Sequence, residues 1–464
     1  MKFGGSSVAN ADRIRHITEI VKARLERKPI LVLSAMGDTT DHLLEAGDTA
    51  LKKGVVELGK IEELHLKAIK DLKLNEPVAK PDRSGVVWRG LPPGKAFGDI
   101  YTLLDELRNL LMGISLIREL TGKTKDYLVS FGERLSVRIA AGYFTSVGIK
   151  AKALDAWDAG FLTDSNFTHA ELLEESWKLI PAKLLPPIDE GVVQIVTGFL
   201  AKDEKGNITT LGRGGSDLSA TMVAASCRAE ELQVWKDVDG ILTADPRIIK
   251  NTRPVDTITY EAASELAYFG SQVLHPRAMQ PCMKTGTPVL IKNSYNPEAP
   301  GTRIVSSFAG KITPIQAITF RNNITLVDIV SSRMLGQYGF LAEVFSCFAK
   351  YCISVDMVAT SEVSVSLTLD TNYDFTKIKE ELSRIAAVTV KTGKAIVTLI
   401  ADVQRSSEIL SRSFRTCELM GIPVQMVSQG ASKVNISFIV DDSEAAEVVR
   451  GLHEDFFGAR EAEK

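Results

Sequence analysis

Through roughly the first 300 residues, short apolar runs alternate with longer stretches whose apolar positions recur at three and four. Pro29–Ala35 (PILVLSA), Tyr127–Phe131, Val192–Leu200, Leu232–Trp235 and Pro288–Ile291 are runs of the kind buried parallel strands show. Between them lie helical patterns. The clearest is Ile100–Leu120, where Ile100, Leu103, Leu104, Leu107, Leu110, Leu111, Ile114, Ile117 and Leu120 form one stripe. Such alternation predicts an α/β domain with a mostly parallel sheet. Val78–Lys95 breaks the rhythm with three prolines and three glycines, and predicts a surface loop or insertion.

Beyond a turn-rich stretch at Asn293–Gly301 the chain repeats itself. Ile353–Val358 (ISVDMV) matches Ile422–Val427 (IPVQMV) at an offset of 69, and Ser361–Ser366 matches Ser432–Ser437 at 71. Helical patterns at Phe340–Tyr351 and Ser407–Met420 precede the copies. Each unit predicts strand–helix–strand–strand–helix–strand, a small ferredoxin-like module. The strand expected at Ile315–Phe320 suits either unit.

The 464 residues would allow about two to four domains on length alone. A net charge of −3 argues against a chain built to neutralise nucleic-acid phosphates. The longest stretch without charge, Leu419–Ser432, is too short to span a bilayer, so no membrane partner is expected. Five cysteines without a C-x-x-C pair predict free thiols rather than disulfides or a zinc site. The chain opens on a motif, so a targeting segment is expected to be absent or removed.

Three segments carry candidate chemistry. Lys2-Phe-Gly-Gly-Ser-Ser7 combines a point charge for phosphoryl oxygens with glycines that let backbone approach a phosphate. Leu211-Gly-Arg-Gly-Gly-Ser-Asp217 lies between a strand pattern and a helix pattern at Leu218–Ser226, where free N–H groups bind anions. Its Arg213 could hold a carboxylate with two parallel hydrogen bonds, and its Asp217 could cap the helix. Trp235-Lys-Asp-Val-Asp-Gly240 and the residues up to Arg247 follow a strand, where open α/β sheets place ligands. Phe131-Gly-Glu133 is expected at another strand end. Gly54–Lys60 mimics a P-loop, but Ile61 replaces the Ser/Thr and a helix pattern precedes it. The six histidines form no metal-binding spacing, and no metal ligands are expected.

Taken in order, Lys2–Val8, Val129–Arg134, Thr210–Asp217, Trp235–Gly240 and Phe269–Pro276 (FGSQVLHP) resemble the motifs of the aspartokinase family, in the amino acid kinase superfamily. The C-terminal repeat resembles its paired ACT domains. Met334–Leu341, Val358–Ser364 and Val427–Ile436 are similar to the plant-type, lysine-sensitive branch. The resemblance implies an amino acid kinase domain at 1–305, then ACT domains at 315–392 and 393–464. It implies transfer of phosphate from ATP, with Mg²⁺ on the phosphates, to the β-carboxylate of L-aspartate. Lys2, Gly4, Gly5 and Ser34 would attend the transferring group, with Asp217 organising Lys2. Glu133 would bind the substrate ammonium, and Arg213 its α-carboxylate, with Thr40, Gly214, Gly215 and Ser216. Trp235, Lys236, Asp237, Leu242, Arg247 and Gln272 would line the ATP site; many bacterial relatives have lysine at the last position. Lysine would inhibit through Met334, Gly336, Gln337, Leu341, Ser354, Val355, Asp356, Ser361 and Glu362, with S-adenosylmethionine or threonine as open further effectors. A homodimer through the ACT domains is implied, in the chloroplast stroma for a plant source or the cytoplasm for a bacterial one. A catalytically silent amino-acid sensor is the alternative; the set Lys2, Glu133, Arg213 and Asp217 speaks against it.

Overall fold

The structure, a computed structural model, describes every residue except 75–78, 82–86, 90–94, 270–273, 308–312, 332–337, 371–372, 374, 430–433 and 459–464; for 79–81, 87–89 and 95–97 it describes the backbone alone. Two compact units emerge. Residues 1–241 with 274–306 form one, and 242–273 with 307–464 the other. The 242–273 segment, inside the expected kinase domain, thus groups with the C-terminal half. Its Ala244 and Ile249 share a buried cluster with Ile318, Val397 and Leu399, and Thr243 Oγ1 lies 2.9 Å from His453 Nε2.

In the first unit the strands of the main sheet run Thr302–Val305, Val289–Asn293, Leu232–Lys236, Lys2–Phe3, Ile30–Leu33, Val193–Thr197, Ala151–Leu154. All neighbours are parallel except the first pair. This places the short apolar runs in one sheet, as their lack of polar alternation requires when both faces are covered. The run Val192–Leu200 breaks at Gly198-Phe199, and Leu200–Asp203 joins a separate small sheet. Lys95–Ile117 is helical, and its stripe from Ile100 to Ile114 is buried apart from the half-buried Leu110, whereas Ile117 is exposed.

Tyr127–Phe131 corrects the sequence reading. It is not a strand but part of a 25-residue helix, Gly122–Ser146, begun by Thr121, whose side chain accepts the Thr124 N–H. Fifteen of its residues are buried, so no polar face betrays the period of 3.6. Glu133 consequently lies mid-helix rather than at a strand end. Within Val78–Lys95, Ala79–Pro81 and Val87–Arg89 pair as an antiparallel ladder, Lys95 begins the helix Lys95–Ile117, and the remaining residues lie outside those described.

The second unit holds a sheet in the order Val358–Thr360, Ser364–Asp370, Ile315–Val330, Ala387–Ala401, Asn435–Asp441, Met426–Ser428. Its two halves mirror the sequence repeat: Ser364–Asp370 and Asn435–Asp441 differ by the offset of 71 seen above. Each half uses part of both long central strands. Ile315–Arg321 pairs with Ile396–Ala401, and Ile324–Val330 with Ala387–Lys394 and Ser364–Asp370. The register shifts at Arg321/Ile324, beside Asn323 at φ 58°. The strand at Ile315–Phe320 therefore belongs to the second ACT half. Met357 and Met426, equivalent in the repeat, meet in one buried cluster with Ile324, Leu326, Ile396 and Ile439.

Candidate active site

The parallel register aligns Phe3 with both Leu33 and Trp235, and Leu33 with Thr197. Gly4, Ser34, Gly198 and Lys236 therefore stand together at the carboxyl ends of the strands. Side chains alternate across a sheet. Phe3 and Trp235 point to one face, where their rings stack at 5.9 Å in the core. Lys2 and Lys236 point to the other, toward the helix Gly215–Ser226. Lys2 Nζ lies 2.6 Å from Asp217 Oδ1, and Lys236 Nζ 3.8 Å from Asp217 Oδ2. Burial alone would push the Asp217 carboxyl up, but the two ammonium groups overcome it and hold it below the ordinary value. Burial depresses Lys236, against the pull of Asp217 and with the push of Lys2.

That helix begins without a side-chain cap, on Gly214 at φ 71°. A Cβ at Gly214 would stand 2.6 Å from the His275 Cβ, and one at Gly215 2.6 Å from the Phe199 ring. Only bare backbone fits here, so the turn presents N–H groups and the positive end of the helix dipole. Ser216 lies against Gly198, where a Cβ would come within 2.8 Å of the serine Cβ. Gly5 closes on the 35–37 turn: its carbonyl accepts the Gly37 N–H, and a Cβ would sit 3.0 Å from the Ala35 oxygen. A Cβ at Gly4 would stand 3.8 Å from Lys2 Nζ. Gly4 and Gly5 thus form a cradle that lets a phosphate approach the ammonium. Ser34 and Thr40, on either side of the 35–37 turn in sequence, are half-buried.

Glu133 is buried, and among the described residues its Oε2 has no hydrogen-bond partner. Burial pushes its carboxyl up to about 8, against the Ala35 and Glu133 backbone N–H groups and the charge of Lys2. Close packing sets its position, since a Cβ at the preceding Gly132 would lie 2.8 Å from the Ala35 Cβ. Arg213 is exposed, and among the described residues no carboxylate pairs with it. Asp237 is exposed at the end of the Leu232–Lys236 strand.

Not every expected residue joins this cluster. The Trp235 indole is fully buried in the core, so a nucleotide could meet only its backbone; its neighbour Lys236 is the residue that faces the cluster. Leu242 and Arg247 belong to the second unit; Leu242 bridges Pro254, and the Arg247 guanidinium binds Asp245 at 2.7 Å. Gln272, Met334, Gly336 and Gln337 lie outside the described residues. In the second unit Leu341 is the second residue of the helix Phe340–Lys350, Ser354 and Val355 precede a buried Met357, and Ser361 and Glu362 are exposed at a hairpin. The Asp356 carboxylate is already engaged, by the Tyr268 hydroxyl at 2.5 Å and by Arg321. Sequence reasoning missed Gly198 and Asp126. Gly198, ending an apolar run at a strand terminus, carried a readable signal; Asp126 carried none.

The amino acid kinase family model matches residues 1–293, and an ACT domain model matches 327–373 and 397–456. Class and domain order are thereby those of an amino acid kinase followed by ACT domains. Aspartokinase 1, chloroplastic, of Arabidopsis thaliana is 47% identical over 98% of this chain and 80% of its own length. The crystal structure of E. coli aspartokinase III in complex with aspartate and ADP (R-state) is 31% identical, with a TM-score of 0.79 over 98% of this chain and 99% of that one. The same enzyme in complex with lysine and aspartate (T-state) has a TM-score of 0.76, covering 98% of each chain. The chain belongs to the aspartokinases of the amino acid kinase family.

Proposed function

We propose that this chain transfers the γ-phosphoryl group of ATP to the β-carboxylate of L-aspartate, giving 4-phospho-L-aspartate and ADP, and that lysine inhibits it through the ACT domains. This is the first step toward the aspartate-derived amino acids. The observation that carries the reading is the Lys2–Asp217–Lys236 cluster at the carboxyl ends of the sheet, beside an uncapped helix N-terminus.

The chemistry needs no general base. A β-carboxylate with a pKa of about 3.9 is already ionised at neutral pH. The difficulty is bringing it to an anionic phosphate, which calls for positioning and positive charge. Lys2, the Gly4–Gly5 backbone and the N–H group of Ser216 supply donors for the phosphoryl oxygens. Asp217 fixes both lysines and keeps their charges aimed rather than spread. Mg²⁺, carried on the ATP phosphates, would add neutralising charge. Ser34 attends the transferring group. Glu133, buried with an unpaired oxygen, suits the substrate ammonium; Arg213, exposed and unpaired, suits its α-carboxylate with Thr40 and Ser216 beside it. Lys236 and Asp237 edge the nucleotide site from the Leu232–Lys236 strand.

In the regulatory half, Asp356 and Glu362 suit the ammonium groups of lysine. The ACT halves of two copies pair in this reading, and S-adenosylmethionine is a candidate further effector. The chloroplastic Arabidopsis relatives support the plastid alternative for location. A coupled assay of ADP release with Mg-ATP and a panel of acceptors tests the substrate. Aspartate is expected to be turned over; turnover of glutamate or acetylglutamate instead would overturn the assignment.

A further inference from the structure

Asp126 is a buried carboxylate that the mechanism above does not use. It lies in the first turns of the helix Gly122–Ser146, yet it does not cap that helix, a task taken by Thr121. Among the described residues its side-chain hydrogen bonds come from other segments. Oδ2 accepts the Thr168 N–H at 2.8 Å and the Thr210 N–H at 3.1 Å; Oδ1 accepts the Thr210 hydroxyl at 2.8 Å. Thr168 sits at φ 71°, a conformation that a side chain rarely adopts and that this bond helps hold. The two tethered segments are themselves joined, by the Ala170 N–H to the Thr210 carbonyl and by the Arg277 guanidinium, which donates to both the Ala170 and Leu211 carbonyls. Burial raises the Asp126 carboxyl, opposed by the bonds from Thr168 and Thr210.

Thr210 is the last residue before the turn Leu211–Asp217, which carries Arg213 and starts the helix at Gly215. Asp126 and Glu133 are seven residues apart on one helix, two turns and about 10.5 Å along the same side. We propose that Asp126 is a positioning residue for substrate: it fixes the turn bearing Arg213 to the helix bearing Glu133, and so sets the spacing of the groups that hold the two ends of the amino acid. The inference rests on the substrate roles given above to Arg213 and Glu133.

An ionised carboxylate only accepts; asparagine in its place would turn an amide N–H₂ toward the Thr168 and Thr210 donors. Steady-state kinetics on the full chain test the idea. Asp126→Asn is expected to raise the aspartate KM about ten-fold or more, with kcat changed less than about three-fold and the ATP KM nearly unchanged. Thr210→Val removes a single bond and should shift the aspartate KM the same way by a smaller factor; it decides the matter if Asp126→Asn does not fold. In the double variant with Arg213→Ala, the aspartate KM should match Arg213→Ala alone within about two-fold, because Asp126 acts through that arginine. Multiplying effects, an unchanged aspartate KM in both single variants, or an equal loss in every kinetic constant would overturn the proposal. If Arg213→Ala itself leaves the aspartate KM unchanged, the substrate role of Arg213 falls and takes the proposal with it. An effect of Arg213→Ala alone, with none from Asp126→Asn and Thr210→Val, removes only the inference about Asp126.

Discussion

Glu133 keeps one carboxylate oxygen buried and unpaired, and burial lifts its pKa to about 8. A proton must leave before it can meet an ammonium ion. The aspartate KM should therefore fall as pH rises from about 6.5 toward 8. Glu133→Gln should abolish that slope and raise the KM about ten-fold or more. The same proton affects stability. The native group holds its proton above the pH at which the unfolded one releases it, near 4.5. The stability this contributes is present at low pH and lost as pH rises through about 8. Gln carries no such dependence, so the melting temperature of Glu133→Gln relative to the parent should climb across that window. A gain of roughly 1 kcal/mol would appear as about 2–4 °C. A flat difference in a pH-scanned melting series would contradict the buried, uncompensated carboxyl. Trp235 and Asp126 show the limits of sequence at this scale. Trp235 shares a charge-dense motif with Lys236, but strand alternation sends the two to opposite faces. Asp126 finds its partners 42 and 84 residues away, a separation no local pattern announces.

The helices and strands were legible where their two faces differ or where both are plainly apolar. The stripe along Lys95–Ile117 and the runs in the parallel sheet are such cases. The helix Gly122–Ser146 is buried nearly all round, so its Tyr127–Phe131 run imitates a strand, and only its length and its Thr121 cap distinguish it. The helix start at Gly214 depends on a left-handed backbone without room for a side chain. Gly214→Ala combines strain with a 2.6 Å approach to His275 and should cost about 2 kcal/mol, read as a lower urea midpoint. The element Tyr260–Tyr268 ends on the hydroxyl that binds Asp356. If lysine needs that carboxylate, it competes with Tyr268 and Arg321 for it. Tyr268→Phe removes one competitor, and lysine should then half-inhibit at a several-fold lower concentration; an unchanged titration would separate Asp356 from the lysine site.

Across the whole chain, a sequence repeat offset by 71 became two halves of one sheet that share both long central strands. The repeat was visible as spacing. The sharing was not, because Ile315–Arg321 precedes the first copy in sequence but pairs with the second. Its outer strands Val358–Thr360 and Met426–Ser428 leave Val358 and Val427 exposed, with Leu341, Phe345 and Phe414 exposed on the adjoining helices. Apolar side chains exposed in this way suit pairing with a second copy. Analytical ultracentrifugation should give twice the 50.6 kDa chain mass, and a monomer at micromolar concentration would contradict ACT-mediated pairing. The near-neutral charge of the chain fits an enzyme that gathers Lys2 and Lys236 at one point and needs no net basic charge. The central claim is the chemistry at that point. Incubating the purified chain with Mg-ATP, L-aspartate and hydroxylamine tests it most directly, since hydroxylamine traps an acyl phosphate as a hydroxamate. The account predicts β-aspartyl hydroxamate in step with ADP, suppressed by added lysine. ATP left intact with no hydroxamate, while lysine still binds, would contradict it and leave a silent amino-acid sensor.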